Sequence, residues 1–348
     1  MKQKRSISIH IKDSVSRGTR LLALIALVVV QTTLGQAQPA AAAPGDVVAD
    51  VPTPGATVGP SVGFDGSDLY YTDTAGFVLY RVDVPPAGGP SPATGYTEVG
   101  PITGAPSGIT AIAYDASRDL FWAAGGDGLT IYTLTKAGIA TLVFRVDPAT
   151  DRPGNCRLGC LTEVHGLAYD GTDDTIWYTP DKSLLIYHYR TSADADGTAI
   201  LVPETPYVAI DIAPDDMGAQ CGYSQSAGVA VAGASLLIGA AGCPWYFQYS
   251  KTGQKQAAIP FDFAPSSQNP ADLECDIVSY GVPVIWAKDL YDGHIRAFEL
   301  PAGLTCSYGT AAPPPPPPPP PPLLSPPPLP IPLPLLPPIP LPPPPPLL

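Results

Sequence analysis

The chain has 348 residues, among them 47 prolines, 34 glycines and six cysteines, and carries a formal net charge of −13 at neutral pH. So acidic a balance repels a phosphate backbone and argues against nucleic acid as a partner. No segment sustains an apolar i, i+3, i+4, i+7 pattern, which leaves little room for long amphipathic helices.

The first twenty residues are basic, with Lys2, Lys4, Arg5, Lys12, Arg17 and Arg20 set against Asp13. An uninterrupted apolar run, Leu21–Val30, follows, and then a small-residue stretch, Gln36–Pro44, that contains Ala40, Ala41 and Ala42. Basic flank, short apolar run and small-residue exit read as a secretory signal peptide over residues 1–42. The run is shorter than the ~20 residues a membrane-spanning helix needs, so no anchor is expected after cleavage. Cleavage is expected after Ala37 or Ala42, by the general secretion route, since the flank has no twin-arginine pair. Losing residues 1–42 removes six basic and one acidic side chain and moves the formal net charge from −13 to −18. The expected location is extracellular.

Residues 43–310 are repetitive. A small-apolar-aromatic-acid pattern recurs as SVGFD (61–65), AIAYD (111–115), GLAYD (166–170), GVAVA (228–232) and CDIVS (275–279), with steps of 50, 55, 62 and 47 residues. Each is followed by a second short strand signal: Leu69–Thr72, Leu120–Ala123, Thr175–Tyr178, Leu236–Gly239 and Val284–Ala287. Third strands are expected at 77–84, 129–136, 184–191, 244–251 and 294–301, and fourth strands at 140–147, 205–212 and 256–263. A small antiparallel sheet with two apolar faces cannot bury both alone; arranged radially, each covers its neighbour. Ala111, Ala113, Gly166, Ala168, Gly228 and Ala230 suit strands crowded round an axis, where large side chains have no room. The expectation is an all-β fold, a β-propeller of five blades. A six-bladed ring, with a degenerate blade in Thr191–Ser226 or from terminal strands, is the alternative. Either Asp46–Asp50 or Leu304–Tyr308 would complete the last sheet.

The segment GLAYDGTDDTIWYTPDKSLLIYHY (166–189) resembles a blade of the NHL, SMP-30/gluconolactonase and YVTN-type propellers, whose blades read G-I-A-V-D, a turn, an aromatic-rich strand and an outer strand. The resemblance extends over roughly residues 47–309 and implies architecture rather than activity, because such propellers host many functions. The metal set of the SMP-30 enzymes is not recognisable residue by residue, so no lactonase activity is implied.

All six cysteines lie in the region expected to be exported, where disulfides persist. Six cysteines allow fifteen pairings. Nearest-neighbour pairing fits the repeats best: Cys156 with Cys160, Cys221 with Cys243, and Cys275 with Cys306. Residues 311–348 form a proline-rich tail, with ten consecutive prolines at Pro313–Pro322. Proline fixes φ and lacks an N–H, so the tail is expected as a disordered, polyproline-II-like arm without helix or ladder. It would serve as a spacer or as a contact to a cell wall or partner.

The loops that enter the inner strands of a propeller converge on its axis. Aligned on the repeat, Pro60, Thr110, His165, Ala227 and Glu274 stand at those places, and Glu163 and Asp272 add acids beside them. Thr110, His165, Glu163, Glu274 and Asp272 are therefore the candidate binding residues. Glu163, Asp272 and Glu274 are the candidate metal ligands, with calcium the cation that oxygen donors would take. The segment ADLECDIVSY (271–280) resembles the D-[LI]-E-G blade start of phytase-like extracellular propellers, whose axial acids bind calcium, but has Cys275 in place of the glycine. His165 beside Glu163 is the candidate general base. No HExxH, Walker loop or GxGxxG is present, and Gly222–Ser226 lacks the final glycine of a nucleophile elbow. The reading is a secreted binding module that presents its axial face to an extracellular ligand, glycan or protein. The alternative is a calcium-dependent hydrolase or lactonase with its site at the propeller centre.

Overall fold

The computed structural model describes residues 43–54, 59–73, 75–147, 165–180, 183–210, 217–222, 225–261, 270–289 and 291–306, and the side chain of His165 lies outside that description. Residues 1–42 and the proline-rich tail, and with them the expected signal peptide and arm, also lie outside it. Among the described residues no helix is long and apolar enough to cross a membrane.

Five antiparallel sheets account for nearly all the described chain, and they form a five-bladed β-propeller. Strand β1 (Val47–Pro52) comes first. Blade 1 is β2 (Gly63–Phe64), β3 (Asp68–Thr72), β4 (Val78–Asp83) and β5 (Thr97–Pro101). Blade 2 is β6 (Ile109–Asp115), β7 (Leu120–Gly125), β8 (Thr130–Leu134) and β9 (Ala140–Arg145). Blade 3 is β10 (His165–Asp170), β11 (Thr175–Pro180) and β12 (Leu185–Ala193), with β13 (Ala199–Leu201) and β14 (Tyr207–Ala209) sharing the outer edge of β12. A one-turn helix, α1 (Met217–Cys221), precedes blade 4, which is β15 (Ser226–Ala232), β16 (Ser235–Ala240), β17 (Trp245–Ser250) and β18 (Lys255–Pro260). Blade 5 is β19 (Pro270–Asp276), β20 (Val284–Asp289) and β21 (His294–Glu299). Its fourth strand is β1, which pairs with β21 in the register Asp50↔Arg296 and Val51↔Ile295, so the amino-terminal segment closes the ring.

Packing follows the radial logic. One apolar cluster joins Trp122, Ile131 and Phe144 of blade 2 to Tyr169, Tyr178 and Tyr189 of blade 3. Another joins Phe64, Leu69 and Tyr71 of blade 1 to Trp286, Ile295 and Ala297 of blade 5. Each blade thus buries a face it could not bury alone.

The acid that ends the repeat pattern has a structural job. Asp115 Oδ1 accepts the N–H of Ser117 at 2.9 Å and of Arg118 at 3.2 Å, while its Oδ2 accepts Trp122 Nε1–H at 3.2 Å. Asp276 repeats this with Val278 N–H at 2.7 Å, Ser279 N–H at 3.0 Å and Trp286 Nε1–H at 2.9 Å. Asp65 and Asp170 likewise cap the N–H groups of Ser67 and Thr172. These are Asx turns that close the hairpin from the inner to the second strand. The same acids tie neighbouring blades together: Lys136 of blade 2 reaches Asp65 of blade 1 at 2.8 Å, and Lys251 of blade 4 reaches Asp170 of blade 3. At the joint of blades 2 and 3, Arg118 bridges Asp115 at 2.5 Å and Asp174 at 2.7 Å.

That turn corrects the alignment of the fifth repeat. Asp276, paired in register with Val284, is the counterpart of Asp115 and Asp170, so the inner strand of blade 5 is Pro270–Asp276 rather than a segment starting at Cys275. The fourth strand of blade 1, Thr97–Pro101, carries no strong apolar signal and was not expected; it is largely exposed and held by the ladder to β4.

Candidate functional site

The inner strands β2, β6, β10, β15 and β19 surround the axis. We call the face where they begin the top and the face where they end the bottom. In register with Asp276, the five strands place Ser61, Ala111, Gly166, Gly228 and Asp272 at one level and Gly63, Ala113, Ala168, Ala230 and Glu274 at the next. Four blades therefore use small residues where the fifth uses two acids.

The small residues bring backbones into contact. A Cβ on Gly166 would stand 2.6 Å from the carbonyl oxygen of Ala227, and one on Gly228 would stand 2.8 Å from Leu273 Cγ and 3.0 Å from the Asp272 backbone. Blades 3, 4 and 5 thus meet without a gap. On the other side, next to the two-residue strand β2, the acids reach across. Asp272, wholly buried, accepts the N–H of Val62 at 3.2 Å, of Ile112 at 3.0 Å and of its own neighbour Leu273 at 3.1 Å. Glu274 accepts the N–H of Tyr114 at 3.3 Å, and the N–H groups of Phe64 and Cys275 also point to it. Each carboxyl joins the inner strands of blades 1 and 2 to blade 5, supplying acceptors to edges that have no further strand to pair with.

Burial dominates the acidity of both groups. It pushes the Asp272 carboxyl well above the usual range against the pull of its backbone donors, and Glu274 adds to the rise. It pushes Glu274 up to about 8, again against backbone donors, with the charge of Asp276 assisting.

Glu274 keeps partial exposure toward a depression at the bottom of the axis, lined by Tyr114, Ala168, Tyr169, Val231, Glu274, Cys275 and Cys306. Its volume is about 10 Å³, room for roughly one water molecule. Tyr114 and Tyr169 donate their hydroxyls to Asp119 at 2.7 Å and Asp174 at 3.0 Å, so both rings are fixed at the rim. Tyr114, Tyr169 and Val231 thus encircle one hub.

The other candidates sit as follows. Thr110 is the second residue of β6, at the top; it is buried, and its hydroxyl reaches the Ala124 carbonyl at 3.5 Å. His165 begins β10 at the same end. Glu163, Cys156 and Cys160 lie outside the described residues. Cys221 is bonded to Cys243 and Cys275 to Cys306. Among the described residues no group of three or more His, Cys, Asp or Glu side chains gathers at metal-binding range. Around Asp272 stand N–H donors, whose positive ends oppose a cation. The Asp194–Thr198 segment is a hairpin turn in which Asp194 caps the N–H groups of Asp196 and Thr198.

Sequence reasoning passed over Lys288. It is wholly buried near the top of the blade 5–blade 1 joint, its ammonium 5.5 Å over the Tyr71 ring. Burial lowers its pKa to about 8, with Asp292 and Asp289 opposing the shift. Tyr71 stacks on Tyr80 at 5.0 Å, and Tyr80 on Tyr96 at 5.9 Å. A lysine one residue from the end of a buried strand, facing an aromatic strand in the next blade, was the available signal.

No protein-family profile and no curated protein sequence matches the chain. Solved structures do. The glutaminyl cyclase of Myxococcus xanthus is 11% identical, with a TM-score of 0.45, over 74% of this chain and 97% of that one. A luciferin-regenerating enzyme is 11% identical with a TM-score of 0.42, over 72% and 93%. A gluconolactonase of Xanthomonas campestris is 12% identical with a TM-score of 0.40, over 70% and 86%. Likeness at this level goes no further than architecture, and the sheet order establishes that architecture independently.

Proposed function

We propose that the chain is an exported, disulfide-stapled propeller that binds an extracellular ligand, glycan or protein at its top face and does not itself catalyse a reaction. One observation carries this reading: the axial acids that would serve a hydrolase are occupied in holding blades 1, 2 and 5 together through backbone N–H groups. The depression beside Glu274, with room for about one water, is too small for a lactone or sugar. In sequence, the connections from one blade to the inner strand of the next are long, at 146–164, 210–225 and 261–269, whereas the bottom hairpins at 116–119, 171–174 and 233–234 are short. Long loops on a rigid scaffold are where binding residues gather. Export is supported by the basic and apolar pattern of residues 1–42 and by two cystines.

The test is a thermal-shift titration with calcium and EDTA, run beside a lactone-hydrolysis assay and a glycan and metabolite screen. The expected outcome is no shift with either reagent, no hydrolysis above buffer, and a saturable ligand. Calcium-dependent hydrolysis that Glu274→Gln abolishes in a folded protein would overturn the reading.

A further inference from the structure

Residues 43–46 form a well-seated turn. The Asp46 N–H donates to the Ala43 carbonyl at 2.9 Å, with Pro44 second and Gly45 third at φ +94°, the arrangement of a type II turn. The turn is set into the outer edge of the ring: the Gly45 N–H donates to the Glu299 carbonyl at 2.8 Å and the Glu299 N–H to the Asp46 carbonyl at 3.0 Å. A Cβ on Gly45 would collide with the carbonyl oxygen of Pro260 in blade 4. The Ala43 nitrogen itself lies 2.7 Å from Asp46 Oδ2, so the carboxylate reaches back to the first atom of the turn. A second carboxyl lies close by: burial, and then the charge of Asp46, push the Glu299 carboxyl pKa above its ordinary value.

The three residues before the turn are Ala40, Ala41 and Ala42, small side chains at the −3 and −1 places of a peptidase site. Two neighbouring alternatives are less suited. Cleavage after Ala43 would hydrolyse a tertiary prolyl amide and discard the carbonyl that closes the turn. Cleavage after Ala37 would leave Gln38–Ala42 ahead of it.

We infer that export cleavage falls between Ala42 and Ala43, and that the α-ammonium so created is captured by the Asp46 carboxylate, fastening the strand that closes the ring. The inference rests on the export reading above. In the cleavage, water adds across the Ala42–Ala43 amide, leaving a carboxylate on Ala42 and an amine on Ala43. Protonated, that amine sits where the amide N–H now donates and replaces a dipole by a full charge in a charge-assisted hydrogen bond.

The experiment is expression of the full chain in a secreting bacterial host, with intact mass and amino-terminal sequencing of the released protein. The expected product begins at Ala43; Ala42→Leu abolishes that product and Ala37→Leu leaves it unchanged. A released protein that begins at Gln38, or at any residue other than Ala43, overturns the inference while leaving export standing. A cell-retained chain still carrying residues 1–42 overturns the export reading and the inference with it. Capture is read separately, from the rate at which an acylating reagent labels the Ala43 amine at neutral pH. Asp46→Asn, which keeps a hydrogen-bond acceptor but no charge, is expected to raise that rate by roughly 1.5- to 5-fold, the range of an exposed ion pair. An unchanged rate overturns the capture.

Discussion

Glu274 makes stability depend on pH in a direction opposite to that of most carboxylates. In the folded ring burial holds its pKa at about 8, against an ordinary value of 4.5. The folded state therefore binds the proton more tightly than the unfolded chain does. Stability is fully present below about pH 4.5 and is lost as pH rises toward 8. One proton across that span sets a ceiling of about 5 kcal/mol, at roughly 1.4 kcal/mol per pH unit. The side chain keeps partial exposure at the bottom of the axis, so about 2–3 kcal/mol is the expected size. For a domain of this length that corresponds to a fall in melting temperature of about 5–10 °C between mildly acidic and mildly alkaline buffer.

The perturbation is Glu274→Gln. Its amide oxygen can still accept the Tyr114 N–H, and the group no longer titrates. Urea unfolding of both proteins at pH values from about 5 to about 9 separates this effect from others, because the difference between the curves cancels what they share. His188 is one shared contribution of opposite sign. Burial lowers its pKa, so its contribution rises as pH climbs to its ordinary value of 6.5. The variant is expected to gain on the parent as pH rises, by about 2–3 kcal/mol in total. A difference that stays flat within about 0.5 kcal/mol, or one that shrinks with rising pH, would refute the argument that burial outweighs the backbone donors. Asp272 is not removed by this change, so Asp272→Asn combined with Glu274→Gln should flatten the profile further.

Three further perturbations probe the ring. Gly228→Ala forces a Cβ to 2.8 Å from Leu273 Cγ and 3.0 Å from the Asp272 backbone, and should cost about 2–4 kcal/mol by urea unfolding. Gly66→Ala, at φ +93° with open space around it, should cost only about 1–2 kcal/mol by the same measurement. Replacing Cys275 and Cys306 together by serine opens a link of sequence separation 31, and should lower unfolding free energy by about 3–4 kcal/mol, read from urea midpoint and slope together because the released unfolded chain expands and steepens the slope.

The scaffold was legible because its repeats are enforced locally. An Asx turn after each of four inner strands demands the acid of GFD, AYD and ECD, and Trp122 and Trp286 recur because their Nε1–H groups return to those acids. Strand β5 was illegible: Thr97–Pro101 is an exposed outer strand, recruited by the ladder to β4 rather than by any apolar pattern of its own. The register of the fifth repeat was misread because Cys275 and Ile277 offered a second small-apolar run three residues along; only the pairing of Asp276 with Val284 decides between them. For the site, Asp272 and Glu274 were found as residues but not as roles. Sequence shows an acid near an axis and is silent about whether water, metal or a peptide N–H faces it.

That distinction explains why the acids fall in blade 5 and not elsewhere. Four inner strands run over six or seven residues, whereas β2 of blade 1 spans only Gly63–Phe64. A ring with one short spoke leaves the N–H groups of Val62 and Ile112 facing an interior where no strand can pair with them. An unpaired buried N–H costs roughly 1–3 kcal/mol, and glycine or alanine at 272 and 274 would offer no acceptor. An acid on the adjoining inner strand supplies two oxygens at each level, and burial there raises the pKa of both groups above their ordinary values. The arrangement that completes the hub therefore engages both carboxyls with peptide N–H groups of blades 1 and 2.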